Sequence, residues 1–382
     1  MKFTCTQSEL KKAVTIAKRA TDKRSHFPVL SHILIKADET TNEITLVGFD
    51  LSTSITTKLK VEALRGGSIT IPAKPLLDAV TLLKGDITVE SVEPDGVVLK
   101  SESGSYSITD CLTSEDFPEI PLPTGDTSTA IFSKQQLLEG LQCTTFAASK
   151  DKTKTVLLGV MLTISEESLE LAATDGARLS VVSFLNLYGT NTPFKALVPA
   201  TALEELRKLL ADKAINSGVD VIVKCDGFNI SFDWGDNQLI SRAIREEYPQ
   251  YWKLLPKRTE IFLAVDRKPL LDKLNLLKSQ TSGKGSKLVE LRTVYTYQEL
   301  DLKIKDSAQY GRVYGERVQS QVSGTDVTLT FDLDHLIEGL KAMNSTEAQI
   351  HYNYSRTAVA ITPLSGLKMT YLIFPKEVKV HG

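Results

Sequence analysis

Apolar residues recur at helical spacing in six places along the chain, each opened by an apolar residue or proline and a residue able to cap a helix. The first runs from Cys5 through Leu10, Val14 and Ala17, and there Thr6 and Glu9 form a capping box that ties up two free backbone donors. The third, Phe132 to Leu137 and Leu141, repeats the box with Ser133 and Gln136. The fifth, Val265 with Leu270 and Leu274, is capped by Asp266, and Pro269 falls within its first turn, where a missing N–H costs little. The second, fourth and sixth open on Pro72-Ala73, Pro199-Ala200 and Phe331-Asp332. They continue through Leu76, Val80 and Leu83, through Leu203, Leu206 and Leu210, and through Leu336 and Leu340. The starts fall near 5, 71, 132, 198, 265 and 331, in steps of 66, 61, 66, 67 and 66 residues. Such regularity predicts six copies of one unit.

Between the helices the period drops to two. Leu51, Thr53, Ile55, Thr57, Leu59 and Val61 alternate with Ser52, Ser54, Thr56, Lys58 and Lys60, the pattern of a half-buried strand. Pro94-Asp95-Gly96 and Asp226-Gly227 each sit between two such runs and signal hairpins. Each copy is therefore expected to be one helix with a small antiparallel sheet. One copy alone cannot bury both its helix stripe and its sheet face, so pairing copies predicts an α+β chain of three domains of about 125 residues. Both periodicities stop at the joints 118–125 and 254–258, which places the domains at 1–122, 128–253 and 258–382.

Composition narrows the picture without changing it. The 382 residues are 42% hydrophobic and 24% charged, which is globular rather than disordered or fibrous. No apolar run reaches the roughly 18 residues of a membrane helix, and the polar start MKFTCTQSELKK is no secretory segment, so a soluble cytoplasmic protein is expected. Cys5, Cys111, Cys143 and Cys225 lie far apart, which fits packed thiols rather than a zinc site or disulfides. The formal charge of −2 hides a separation. The six helix-centred segments together carry +9 and the remainder −11, although the fourth is neutral and the sixth acidic. Basic helices sharing one face would suit a polyanion read without sequence preference; the bland explanation is a set of solvated helix faces.

Signatures of catalysis are missing. The chain has no GxxxxGK[ST], HExxH, GxSxG or GxGxxG, and Gly283-Lys284 lacks the preceding glycine of a phosphate cradle. His26, His32, His335, His351 and His381 show no ligand spacing, so no metal or other cofactor is expected. Asp175, before Gly176, reads as a turn residue rather than an acid or base.

Several motifs taken together resemble the DNA polymerase III beta subunits, the bacterial sliding clamps, along the whole chain. They are Met1-Lys2-Phe3 with Gln7 and Leu10, Arg24 to Leu30 followed by Ile33-Leu34-Ile35, Gly48-Phe49-Asp50-Leu51, Ile71-Pro72-Ala73-Lys74, Glu115-Asp116-Phe117-Pro118, Thr174 to Leu179, and Tyr371 to Pro375. The resemblance implies a clamp fold of three similar domains, each with two helices on antiparallel sheets, joined head to tail into a homodimeric ring around double-stranded DNA. It implies no catalysis. By the same resemblance Arg24, Lys74, Lys150, Lys154 and Lys208 are expected to touch phosphates, while the basic residue relatives have near Thr201 is not kept. A hydrophobic cleft is expected from Leu157, Thr174, Gly176, Arg178, Leu179, Pro249, Leu254, Leu372, Ile373, Phe374 and Pro375, with the aliphatic stem of Arg178 spanning it. Its implied guests are short motifs of the polymerase III catalytic subunit, the clamp loader, repair polymerases and mismatch-repair proteins. The ring joint would set Tyr106 and Ile108 against Leu276 and Leu277. Ala177, His335 and the seven residues from Lys376 to Gly382 depart from the family pattern. The competing reading is a monomeric scaffold that recruits proteins without encircling DNA, and a remoter one is a hydrolase using Asp175 and Arg178.

Overall fold

The computed structural model describes residues 1–92, 96–185, 192–213, 215–216, 218–256, 261–280, 287–305, 315–352 and 358–380. Six α-helices answer the six apolar patterns: α1 (Gln7–Ala17), α2 (Ala73–Leu82), α3 (Lys134–Thr144), α4 (Ala200–Leu210), α5 (Arg267–Gln280) and α6 (Leu333–Ala342). At α1 the cap differs in detail from the expected box. Thr6 Oγ1 accepts the Glu9 N–H at 3.4 Å, while its hydroxyl donates to Glu9 Oε2 at 2.6 Å. At α6 Asp332 Oδ1 accepts the His335 N–H at 3.0 Å. A long-range cap recurs four times: the N–H groups of Gln7, Lys134, Arg267 and Leu333 donate to the carbonyls of Gly85, Val219, Thr346 and Lys287 at 3.0, 3.0, 2.9 and 2.8 Å.

The first segment of the chain contributes strands β1 (Lys2–Thr6), β2 (His32–Asp38), β3 (Glu43–Phe49), β4 (Thr53–Lys60), β5 (Glu62–Arg65), β6 (Gly67–Pro72), β7 (Asp86–Val92), β8 (Gly96–Ser101) and β9 (Gly104–Ile108). The middle segment adds β10 (Ser128–Ser133), β11 (Gly159–Ile164), β12 (Ser168–Thr174), β13 (Arg178–Leu185), β14 (Phe194–Pro199), β15 (Asp220–Cys225), β16 (Asn229–Trp234) and β17 (Asn237–Arg242). The last holds β18 (Ile261–Asp266), β19 (Leu288–Val294), β20 (Glu299–Ile304), β21 (Gly315–Val322), β22 (Val327–Asp332), β23 (Glu347–His351), β24 (Val359–Pro363), β25 (Lys368–Ile373) and β26 (Glu377–Val380). Pairing is antiparallel throughout the recorded ladders.

One expectation needs correction: the copies do not each keep their own sheet. The strand before each helix joins the sheet of the other copy. β1 pairs with β7 beside β8 and β9, and β6 pairs with β2 beside β3 and β4. The middle and last segments repeat the exchange, with β10 on β15, β14 on β11, β18 on β23 and β22 on β19. Neither half can complete a sheet without the other, because each supplies a strand that the other's sheet lacks.

The sheets also run across segments. β17 pairs with β4 from Asn237↔Thr57 to Ser241↔Thr53, and β25 pairs with β13 from Ile373↔Arg178 to Lys368↔Ser183. By contacts the chain accordingly divides into two units. The first holds Met1–Lys134, 188–192 and Glu204–Ala243; the second holds Gln135–Leu187, Pro193–Leu203 and Ile244–Gly382. In the first unit, Leu10, Val14 and Ala17 of α1 and Leu76 and Val80 of α2 bury against Phe3, Ile33, Ile35, Ile87 and Leu99. Each such Leu, Val, Ile or Phe side chain contributes about 1.5–3 kcal/mol.

Local chemistry explains the Gly48 to Leu51 motif. A Cβ on Gly48 would lie 2.0 Å from the Ala17 carbonyl oxygen, so only glycine lets β3 run under the end of α1. Asp50 Oδ1 accepts the N–H groups of Ser52 and Thr53 at 2.9 and 2.6 Å, and Leu51 takes φ +72° in the turn. Leu51 is thus exposed and precedes the strand it was expected to open. The Asp226-Gly227 hairpin forms, with Gly227 at φ +86° and Asp226 Oδ1 accepting from Phe228 and Asn229. Glu93 to Asp95 of the other turn, Gly283-Lys284 and Lys257-Arg258 of the second joint lie outside the described residues. All four cysteines are buried, and burial pushes the Cys5 and Cys143 thiols up to about 12.

Alanine in place of a helical glycine usually stabilises by up to about 1 kcal/mol. At Gly339 of α6 the added Cβ would fall 2.2 Å from the fully buried Tyr371 ring. Overpacking there predicts the opposite sign, so Gly339→Ala should lose about 1–3 kcal/mol in denaturant unfolding. An unchanged or raised midpoint would show that α6 is not seated against β25.

Candidate functional site

An apolar surface forms in the second unit where β13 and β25 lie side by side. Alternation along the two strands turns Leu179 and its partner Leu372 to the same face, each 1% exposed. Ala172, Val181, Leu197, Tyr248, Tyr251 and Ala360 complete a buried floor, with Leu157 and Leu255 partly buried against it. Leu254 and Trp252 stand at its margin 48% and 53% exposed, with Pro249 also exposed. Tyr251 is fixed by donating to Glu170 Oε1 at 2.5 Å and meets Trp252 edge to face at 5.5 Å. Tyr248 Oη accepts the Thr174 N–H at 3.0 Å.

The turn that closes this surface is Thr174 to Arg178. Asp175 Oδ1 accepts the N–H groups of Ala177 and Arg178 at 2.8 and 3.1 Å, and Gly176 takes φ +93°, a conformation that favours glycine. Thr174 Oγ1 donates to the Arg178 carbonyl at 2.5 Å. Asp175 is a turn former, as its position before glycine suggested. Phe374 and Pro375 are half-buried beside the turn, and the Phe374 N–H donates to the Ala177 carbonyl at 3.3 Å.

Arg178 and Ile373 correct the expectation, because strand parity turns both to the opposite face. The Arg178 side chain is 4% exposed and does not span the apolar surface. Its guanidinium donates to Asp175 Oδ2 at 3.0 Å, Glu338 Oε2 at 2.5 Å and the Phe146 carbonyl at 2.8 Å, and it lies 5.4 Å from the Phe146 ring centroid. Burial pulls its pKa down, but Tyr371, Glu338 and Asp175 more than offset this and hold it above the usual arginine value. Arg178 therefore ties the turn to α6 and to the Phe146 segment. His335, also on α6, places Nε2 3.9 Å from Asp175 Oδ2.

The expected cations divide into two kinds. Arg24, Lys74, Lys150 and Lys154 are exposed, and no carboxylate lies within 4.0 Å of them among the described residues. Lys208 is different: its Nζ lies 2.6 Å from Glu205, which also takes Arg19 at 2.9 Å. With Lys12 at 3.9 Å from Asp212, these pairs bridge α1 and the α4 side of a groove of about 380 Å³. Of the joint residues, Ile108 and Leu277 are buried within the chain, Tyr106 is half-buried, and Leu276 is 41% exposed. Among the described residues no group of three or more His, Cys, Asp or Glu is arranged to hold a metal, and no helix is long and apolar enough to cross a membrane.

Models of the N-terminal, central and C-terminal domains of the DNA polymerase III beta subunit match this chain at residues 1–121, 132–250 and 252–377. The chain belongs to the DNA polymerase III beta subunit family. Beta sliding clamps from Synechococcus elongatus and a Synechocystis strain are 35% and 34% identical to it; the first match covers 99% of this chain and all of the relative, the second 98% and 99%. Among solved structures, a sliding clamp from Pseudomonas aeruginosa bound to griselimycin superposes with a TM-score of 0.89 at 21% identity, covering 99% of each chain. The beta subunit from Thermotoga maritima gives 0.87 at 24%, covering 98% of this chain and 99% of its own. The fold is thus that of the clamps, with three similar domains of two helices on antiparallel sheets. β26 continues past the end of the C-terminal family match and pairs with β22 from Glu377↔Thr330 to Val380↔Val327.

Sequence reasoning missed Tyr248, Tyr251 and Trp252, although the run Tyr248 to Trp252 is an aromatic cluster next to the flagged Pro249 and Leu254. Removing the Arg178 guanidinium strands Asp175 and the Phe146 carbonyl while Glu338 regains water. Arg178→Ala should therefore cost about 3 kcal/mol, at the lower end for a broken buried pair. Thermal unfolding checks this; a loss below about 0.5 kcal/mol would mean that the ion pairs hold nothing together.

Proposed function

We propose that this chain is the processivity subunit of a DNA polymerase III, a homodimer closed into a ring around duplex DNA, with no catalysis of its own. The observation that carries the reading is a pair of strands without their counterparts. At each recorded junction the third strand after the second helix of one segment meets the fourth-position strand of the segment before it: β17 on β4 and β25 on β13. Among the described residues β9, the third strand after α2, ends its sheet, and in β21, the fourth-position strand of the last segment, Gly315–Gln319 pair with β20 alone while Ser320–Val322 pair with β18. Joining β9 of one chain to β21 of another repeats the same junction and satisfies both edges head to tail, and two such joints close a dimer. Tyr106 and Leu276 have surface left to meet there. The domain division remains 1–122, 128–253 and 258–382.

A closed ring holds DNA by topology, so its contacts need only be weak and indifferent to sequence. Arg24, Lys74, Lys150 and Lys154 carry these phosphate contacts, and Lys208 contributes less because Glu205 already shares its charge. The surface around Leu157, Thr174, Gly176, Leu179, Pro249, Leu254, Leu372, Phe374 and Pro375 receives peptide motifs of the polymerase, the clamp loader and repair proteins. One buried Leu or Phe of such a motif gains about 1.5–3 kcal/mol. A cytoplasmic setting follows from that role.

Once loaded on nicked circular duplex, the protein should stay bound through gel filtration and be lost when the circle is cut. Equal retention on both forms would refute topological linkage. Leu276→Asp should convert a two-chain species to single chains in sedimentation at micromolar concentration without lowering the melting temperature. A wild-type protein that already sediments as one chain would favour the monomeric scaffold.

A further inference from the structure

The loop after α1 carries an unusual side chain. Asp22 to Leu30 is closed at its neck by the Asp22 N–H donating to the Leu30 carbonyl at 2.8 Å, and Val29 and Leu30 are buried. Inside it, Asp22 Oδ1 accepts the Arg24 N–H at 2.8 Å and Ser25 Oγ accepts the Phe27 N–H at 3.1 Å. These bonds fold the backbone tightly and leave Lys23, Arg24, His26 and Phe27 on the outside. The Phe27 ring is 62% exposed although buried Val29 and Leu30 lie only two and three residues away. Neither Lys23 nor Arg24 has a carboxylate within 4.0 Å among the described residues, and the loop's one acid, Asp22, is engaged with the backbone.

An exposed aromatic ring in the same loop as two cations is the pairing that single-stranded nucleic acid requires: a π-face for a base and positive charge for the flanking phosphates. We propose that Phe27 is a stacking platform for unpaired bases of single-stranded DNA, with Lys23 and Arg24 holding the adjacent phosphates. This rests on the DNA reading above and extends it from duplex to the junction where a duplex ends. Bases within a duplex are already stacked, so Phe27 adds nothing to duplex binding, whereas Arg24 serves both.

Two measurements on the full-length dimer test it. Phe27→Trp should show quenched indole fluorescence on titration with a twelve-residue oligothymidylate at low salt, beyond any change given by wild type through Trp234 and Trp252. Phe27→Ala should bind a duplex carrying a single-stranded tail about five- to tenfold more weakly while blunt duplex affinity stays within about twofold. Equal binding of the tailed duplex by wild type and Phe27→Ala, as expected if the ring serves a protein partner instead, overturns the proposal, as does an equal loss on both duplexes. Wild-type retention on nicked circular DNA separates the two readings. Retention with no effect at Phe27 removes only the stacking platform, and failure of retention removes the DNA reading beneath it.

Discussion

Backbone N–H and C=O groups along a strand edge must find partners, and in this chain that requirement acts at three levels. Within a segment, the strand before each helix crosses to the other half, so two short sequences fold only together. Between segments, β17 completes β4 and β25 completes β13. Between chains, the joint proposed above would apply the same rule once more, bringing β9 to the Gly315–Gln319 stretch of β21, which pairs with β20 alone among the described residues.

Charge follows a second logic. The excess positive charge of the helices is partly spent inside the protein: Arg19 and Lys208 share Glu205, and Lys12 faces Asp212. Of the expected phosphate contacts, the four with no carboxylate within 4.0 Å among the described residues, Arg24, Lys74, Lys150 and Lys154, sit in loops or at helix starts. A total charge near zero therefore coexists with local positive surface, which suits weak and mobile contacts better than a strongly basic protein would.

Much of this was legible in the residues. Apolar spacing located all six helices because a helix writes its buried stripe into local sequence. The strand exchange was not legible, since a period of two says which face is buried but nothing about which strand lies alongside. Arg178 shows the same limit at one position. Leu179 and Val181 announce the parity of β13, and that parity alone puts Arg178 on the far face, but a motif read residue by residue treats neighbours as companions. The pairing of Lys208 with Glu205, three positions apart on α4, was visible as helix spacing. The exposure of Phe27 and the burial of Leu277 were not visible, because both depend on how the rest of the chain covers them.

The four buried sulfurs carry a practical corollary. With Cys5 and Cys143 held near 12 and Cys225 also raised, the nucleophilic thiolate is scarcely populated at neutral pH, and the thiols are shielded as well. The native protein is thus a quiet background for maleimide chemistry, and a cysteine introduced at an exposed position such as Lys74 would take a dye alone, reporting on its own surroundings without first stripping the natural sulfurs.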